Sequence, residues 1–213
     1  MSGCEEVSSA VILAGGDNRR FGALKSFINI EGTPLIARNL ALFAGLFDEV
    51  FINTNDPEPY FRLDSCRVAT LIGDVLPSRG PMSGIYSALL NAKGQSIFVA
   101  ACDMPFLNEE MITFIRQRHL RCCRERGKYD AVVPVFNNEP QPLLGIYSRT
   151  LLNFLEDGIV NDKTAMIRFL NSVRTCFIDE SDVRKIDPSG RSFMNINTVE
   201  EYERLCKEEL LSK

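Results

Sequence analysis

The run Ile97-Phe98-Val99-Ala100-Ala101 is apolar at every position, so a strand built from it must be covered on both faces. That is the requirement of a central strand in a parallel sheet sandwiched by helices, and it narrows the chain to the α/β class. Strand-like runs recur at Ala10 to Leu13, Glu49 to Asn53, Val68 to Ile72, Ser96 to Ala101, Ala131 to Phe136, Leu143 to Tyr147 and Thr175 to Ile178, interleaved with helical patterns. Thr33-Pro34 reads as the N-cap and first residue of a helix reaching about Leu46. A second helix is expected from near Ser83 to Lys93-Gly94. Asn108 is placed to cap Glu109 to Cys122, and Thr198-Val199-Glu200-Glu201 is a capping box opening a C-terminal helix. The runs around Ala131 to Phe136 and Pro142 to Tyr147 lie too close together for a helical crossover. One antiparallel strand or a hairpin-like insertion is expected there.

At 213 residues and 45% hydrophobic content, the chain suits one sizeable core, and a single domain over 1–213 is expected, with 1–8 a flexible start. The net charge of -4 gives no general attraction to polyanions, so nucleic acid and membrane surfaces are not expected partners. No apolar segment has the length of a membrane span, and Met1 to Ser9 lacks a signal-peptide pattern, so a cytoplasmic location is expected. The seven cysteines are odd in number, scattered and without a C-x-x-C pair, which points to reduced thiols rather than a disulfide framework or a zinc site. Cys102, closing an apolar strand, reads as a small buried hydrophobe.

In an open parallel sheet, ligands collect beyond the carboxyl ends of the strands. The first strand opens into Gly15-Gly16 and then Arg19, Arg20, Gly22 and Lys25, the makeup of a phosphate cradle, although an ordinary turn with solvated arginines has the same composition. The P-loop and dinucleotide patterns are both absent. The second strand ends in Asn53, the third in Gly73-Asp74 and the fourth in Cys102-Asp103-Met104-Pro105. A lone strand-end carboxylate such as Asp103 suits a hard divalent cation that also binds substrate phosphate; a turn-capping aspartate is the alternative. Gly80-Pro81-Met82-Ser83-Gly84 runs into a helix and lets a flat ring approach its backbone. Asn195 and Asn197 alternate on an extended segment, so both amides can face one ligand, unless Asn197 only forms an Asx-turn. The basic run Arg116 to Lys128, which holds the sole histidine, His119, reads as a solvated helix face.

Leu13 to Gly16, Arg20, Gly22 and Lys25 match in register the L-A-G-G-x-S-x-R-M-G-x-x-K signature of nucleotidyltransferases of the molybdenum cofactor guanylyltransferase type. Asn18 and Phe21 depart from it. The G-P-x-x-G, C-D-x-P, Q-P-L-x-x-x-Y-x-R and N-x-N-T-x-E-E/D segments of this chain, from Gly80, Cys102, Gln141 and Asn195, also resemble that family's. The resemblance implies a mostly parallel Rossmann-like sheet flanked by helices, of nucleotide-diphospho-sugar transferase type. It implies transfer of GMP from GTP to the terminal phosphate of Mo-molybdopterin, with Mg²⁺ at Asp103. By the same resemblance Leu13, Ala14, Gly15, Gly16, Asn53, Asp74 and Gly84 hold the nucleotide, Lys25, Arg20 and Asp103 serve its phosphates, Asn195 and Asn197 serve the second substrate, and the wider superfamily makes Asn197 a candidate second metal ligand. Lys163 and Arg168 lie where the family carries a basic segment near its pterin, though a loop before a helix explains them as well. Molybdoenzyme apoproteins or cofactor-delivery proteins are the further partners it suggests. A cytidylyltransferase or other sister enzyme shares these motifs, and a non-catalytic nucleotide or pterin carrier is the reading from another class.

Overall fold

β6, Ser96–Ala101, lies mid-sheet in the computed structural model, which describes residues 6–15, 25–77, 80–126 and 129–204. Ile97, Phe98, Val99 and Ala100 are fully buried, as a doubly covered strand requires. The sheet order is β10 (Thr175–Ile178), β7 (Ala131–Phe136), β9 (Leu144–Ser148), β6, β1 (Ser9–Leu13), β4 (Glu49–Asn53) and β5 (Thr70–Ile72). β9 runs antiparallel to both β6 and β7, whereas β1, β4, β5 and β6 are mutually parallel and β10 is parallel to β7. The expected antiparallel strand and the hairpin both occur: β8 (Glu139–Pro140) folds back on β7 through Asn137 and Asn138, both at positive φ, which asparagine tolerates better than most residues.

Alternation along the strands divides the core. Ala10, Ile12, Phe98 and Ala100 face α1 (Leu35–Leu46) and α4 (Glu109–Arg126), while Val11, Ile97 and Val99 face α3 (Pro81–Asn91), α5 (Leu152–Val160) and α6 (Met166–Ser172). Each fully buried Ile, Leu or Phe in these layers contributes about 1.5–3 kcal/mol. A third apolar cluster joins Ile28 and Ile30 of the segment after Lys25, Leu35, Ile196 and Tyr202, with Phe106 packed against it. It fastens together the chain just past Lys25, just past Asp103 and around Asn195, and so fixes one flank of the site.

Several local expectations are corrected. Thr33-Pro34 forms β3, a short strand paired with β2 (Asn29–Ile30), and α1 begins only at Leu35 with Pro34 as its N-cap. The missing proline N–H suits either place. Asp64–Val68 is a 3-10 turn, so β5 is confined to Thr70–Ile72. α3 starts at Pro81, two residues before Ser83. Asn108 does cap α4, its Oδ1 accepting from the Met111 N–H at 2.8 Å. The basic run is not simply solvated: Arg116 pairs with Glu6 at 2.8 Å and Arg118 with Asp182 at 3.3 Å, and His119 is buried. Cys122 on α4 forms a disulfide with Cys176 on β10, so the expectation of reduced thiols is corrected for this pair; a pairing across 54 residues is not disclosed by spacing in the chain. Cys66 and Cys102 are free, buried thiols, in keeping with the expectation for Cys102.

Candidate active site

The parallel strands β1, β4, β5 and β6 deliver their carboxyl ends to one edge, and a cavity of about 180 Å³ opens there. Leu13 and Gly15 follow or close β1, Asn53 closes β4, Asp74 follows β5, and Ala101, Cys102 and Asp103 close or follow β6. Gly80, Pro81 and Gly84 of α3 and its entry loop, Leu143 and Asn195 complete the lining. Leu143 is there because β9 runs backwards: it is the residue before an antiparallel strand, not after a parallel one, that faces the site.

Two polar constellations reach this cavity through Asn53, Asp74 and Asp103, while Asn55 and Lys25 back them without lining it. In the first, Asn53 donates from Nδ2 to one Asp74 oxygen at 3.1 Å and Asn55 donates to the other at 2.8 Å, while the Asp74 N–H is accepted by Asn55 Oδ1 at 2.9 Å. The Asp74 carboxylate is thus clamped by two amides at the strand ends. Asn55 is a residue that sequence reasoning missed; the only signal was its place two residues past Asn53. Gly84 explains the close approach of α3 to this clamp. A Cβ there would stand 2.5 Å from Asn53 Oδ1 and 2.8 Å from Leu13 Cδ2, so any side chain displaces one of them.

In the second constellation, Lys25 Nζ lies 3.5 Å from Asp103 Oδ2, and both side chains are largely covered. Burial pushes the Asp103 carboxyl above the ordinary carboxylate range, and the nearby Lys25 ammonium pulls it back. The Cys102 thiol beside it is pushed up to about 12 by burial, so it stays a neutral thiol with no nucleophilic part. The Asp103 carbonyl accepts the Ile196 N–H at 2.9 Å, which holds the Asn195 segment against the end of β6.

The proposed residues do not all converge. Asn195 lines the cavity, but Asn197 does not: its backbone N–H and Nδ2 both donate to Glu201 Oε2, at 2.9 and 3.3 Å. The two asparagines therefore part company, because Asn197 closes the cap of the helical segment 199–204, where Thr198 accepts the Glu201 N–H. Ala14 is buried and its N–H donates to the Asn53 carbonyl at 2.9 Å, while the Leu13 carbonyl accepts from Cys102, so this backbone spaces β1, β4 and β6 and does not line the cavity through Ala14. Gly16 and Arg20 lie outside the described residues.

A second, larger cavity of about 660 Å³ adjoins α5 and α6, lined among others by Lys163, Thr164, Arg168, Phe154 and Phe169. It neighbours the first through α3: a Cβ on Gly158 of α5 would lie 2.8 Å from Met82, one residue past Pro81. No group of three or more His, Cys, Asp or Glu side chains able to hold a metal occurs among the described residues; a lone strand-end carboxylate such as Asp103 has the chemistry for a magnesium ion only where phosphate oxygens and water complete the shell. No helix among the described residues is long and apolar enough to cross a membrane.

A model of the MobA-like NTP transferase domain matches residues 10–174. The probable molybdenum cofactor guanylyltransferase of Peptoclostridium acidaminophilum is 33% identical over 220 residues, covering 97% of this chain and 96% of its own. The molybdenum cofactor guanylyltransferase of Syntrophotalea carbinolica is 33% identical over 196 residues, covering 92% of this chain and 89% of its own. The crystal structure of molybdopterin-guanine dinucleotide biosynthesis protein A from Archaeoglobus fulgidus superposes with a TM-score of 0.76 at 27% identity, covering 94% of this chain and 99% of that one. At 12% identity, 4-diphosphocytidyl-2C-methyl-D-erythritolsynthase from Anaerococcus prevotii shares the fold with a TM-score of 0.62.

Proposed function

Since this chain belongs to the MobA-like NTP transferase family and is a nucleotidyltransferase, we propose that it acts as a molybdenum cofactor guanylyltransferase, moving GMP from GTP to the terminal phosphate of Mo-molybdopterin. The products are Mo-molybdopterin guanine dinucleotide and pyrophosphate. The observation that carries this reading is one cavity lined by both the Asn53–Asp74 clamp and Asp103, with the Lys25 ammonium 3.5 Å from Asp103, a polar nucleoside seat beside a carboxylate and its cation.

The chemistry asks little of acids and bases. An oxygen of the acceptor's phosphate monoester is already anionic; it attacks the α-phosphorus of GTP, the bond from that phosphorus to the bridging oxygen breaks, and pyrophosphate leaves with its electron pair. Alignment and charge neutralisation then carry the rate. Asn53, Asn55 and Asp74 orient the nucleoside, and Gly84 leaves room for it against α3. Lys25 meets the phosphate chain and Asp103 holds the cation. Bound Mg²⁺ supplies Lewis-acid neutralisation of the triphosphate. The His119 imidazole takes no part: it is buried in α4, and burial holds its pKa down to about 4. Lys163 and Arg168, with Phe169 at hand, give the second cavity the cationic and aromatic character an anionic pterin needs.

The test is pyrophosphate release with Mg²⁺ and molybdopterin-type acceptor, comparing GTP, CTP and ATP. Release with GTP alone supports the guanylyltransferase. Release with CTP assigns the sister activity, and silence with all three assigns a carrier.

A further inference from the structure

We propose that Tyr60 is a positioning residue, whose buried hydroxyl bonds Ser26 and thereby fixes the turn that presents Lys25 to the nucleotide phosphates; this rests on Lys25 being a phosphate-binding group, as in the function proposed above. The 3-10 turn Lys25–Phe27 places Ser26 fully inside the protein, with the Lys25 ammonium 3.5 Å from the cavity-lining Asp103 carboxylate. Ser26 Oγ and the Tyr60 hydroxyl are 2.8 Å apart, and both residues are buried. The Phe27 ring meets the Tyr60 ring edge-on, centroids 5.0 Å apart, so the turn is gripped through two successive residues.

Tyr60 reaches this point from α2 (Glu58–Phe61), a short helix with little else to do for the site. The phenol therefore touches the Lys25 turn at both residues that follow the lysine. A ring without a hydroxyl would fill the same space, so packing alone does not call for tyrosine here. What the hydroxyl adds is direction, because a buried hydrogen bond fixes where Ser26 lies, and Lys25 is its neighbour.

The test compares GTP binding by calorimetry in wild type, Tyr60→Phe and Ser26→Ala, each also in a Lys25→Ala background. Amide hydrogen exchange is followed in the same proteins. Tyr60→Phe and Ser26→Ala, each retaining the packing, are expected to weaken GTP binding about tenfold, the scale of one buried hydrogen bond. In the Lys25→Ala background each is expected to cost under about twofold, since there is no ammonium left to misplace. Exchange at residues 26–28 should quicken in both variants while β7 and β9 keep their protection. Equal losses in the two backgrounds overturn the proposal and make Tyr60 merely structural, as does unchanged binding in both single variants. If wild type binds no GTP, the function proposed above fails, and the exchange measurement decides alone: faster exchange at 26–28 upholds the anchor, unchanged exchange removes it.

Discussion

The smaller cavity is made where parallel strands end, whereas the larger one is made where two helices meet, and the first is far more tightly determined than the second. At the strand ends, Asn53, Asp74 and Asp103 are set by sheet register, and neighbouring backbone bonds such as Ala14 to Asn53 and Cys102 to Leu13 leave them little freedom. Around Lys163 and Arg168 the walls come from the loop between α5 and α6 and from side chains that project outward, with Phe154 about half exposed. A nucleoside triphosphate with in-line chemistry at its α-phosphorus needs the first kind of wall. An acceptor that brings its own charged phosphate can be held by the second.

Substitutions at the strand ends should therefore cost turnover or nucleotide binding, and those at the helix junction acceptor affinity alone. The largest effect belongs to Asp103→Ala, expected to lower kcat by on the order of a thousandfold, the scale for loss of a group that stabilises developing charge, read as pyrophosphate release under saturating substrates. Lys25→Ala should weaken nucleotide binding by about 1.5–3 kcal/mol through loss of a charge-assisted contact, as measured by calorimetry; intact affinity would remove Lys25 from the site. Gly84→Ala, whose new methyl must displace Asn53 or Leu13, is expected to cost about 1–3 kcal/mol of stability and to raise the KM for GTP. Gly45→Ala, with open space around its Cβ, serves as the control and should stabilise α1 by up to about 1 kcal/mol in thermal melts. Lys163→Ala should raise the KM for the pterin acceptor about tenfold with the KM for GTP unmoved. A matching rise in both would mean that the two cavities are not separate subsites.

His119 should leave turnover untouched and alter only the pH dependence of stability. Its folded-state pKa of about 4 lies below the unfolded value near 6.5, so the unfolded chain binds the extra proton first. Its contribution is whole above about pH 6.5 and is lost as the pH falls towards 4, by up to about 3 kcal/mol. Urea melts of wild type and His119→Leu at pH 7 and pH 4.5 should diverge most at the lower pH; parallel losses would contradict the burial argument.

The same contrast governs what the amino-acid sequence discloses. The doubly apolar Ile97 to Ala101 run placed β6 mid-sheet, and the rule that ligands gather past parallel strands placed Asn53, Asp74 and Asp103 around one cavity. Both follow from local pattern. That rule looks in the wrong place for Leu143, which precedes a strand running the other way and was marked only by its motif. Alternation put Asn195 and Asn197 on one side of the chain, yet Glu201 four residues on captures the second amide, a competition that periodicity does not register. Tyr60 gave no signal either: a lone tyrosine in a short helix earns its meaning only when the fold brings Ser26 to it, 34 residues away.

The most direct test of guanylyl transfer at this site is to follow α-phosphorus-labelled GTP in the presence of Mg²⁺ and the pterin acceptor, with wild type and Asp103→Ala side by side. In wild type, label is expected to move from GTP into a pterin dinucleotide, with unlabelled pyrophosphate released in equal amount, and in the variant at a rate lower by on the order of a thousandfold. Label that stays in GTP with wild type, or that emerges as free GMP without entering the acceptor, would contradict guanylyl transfer.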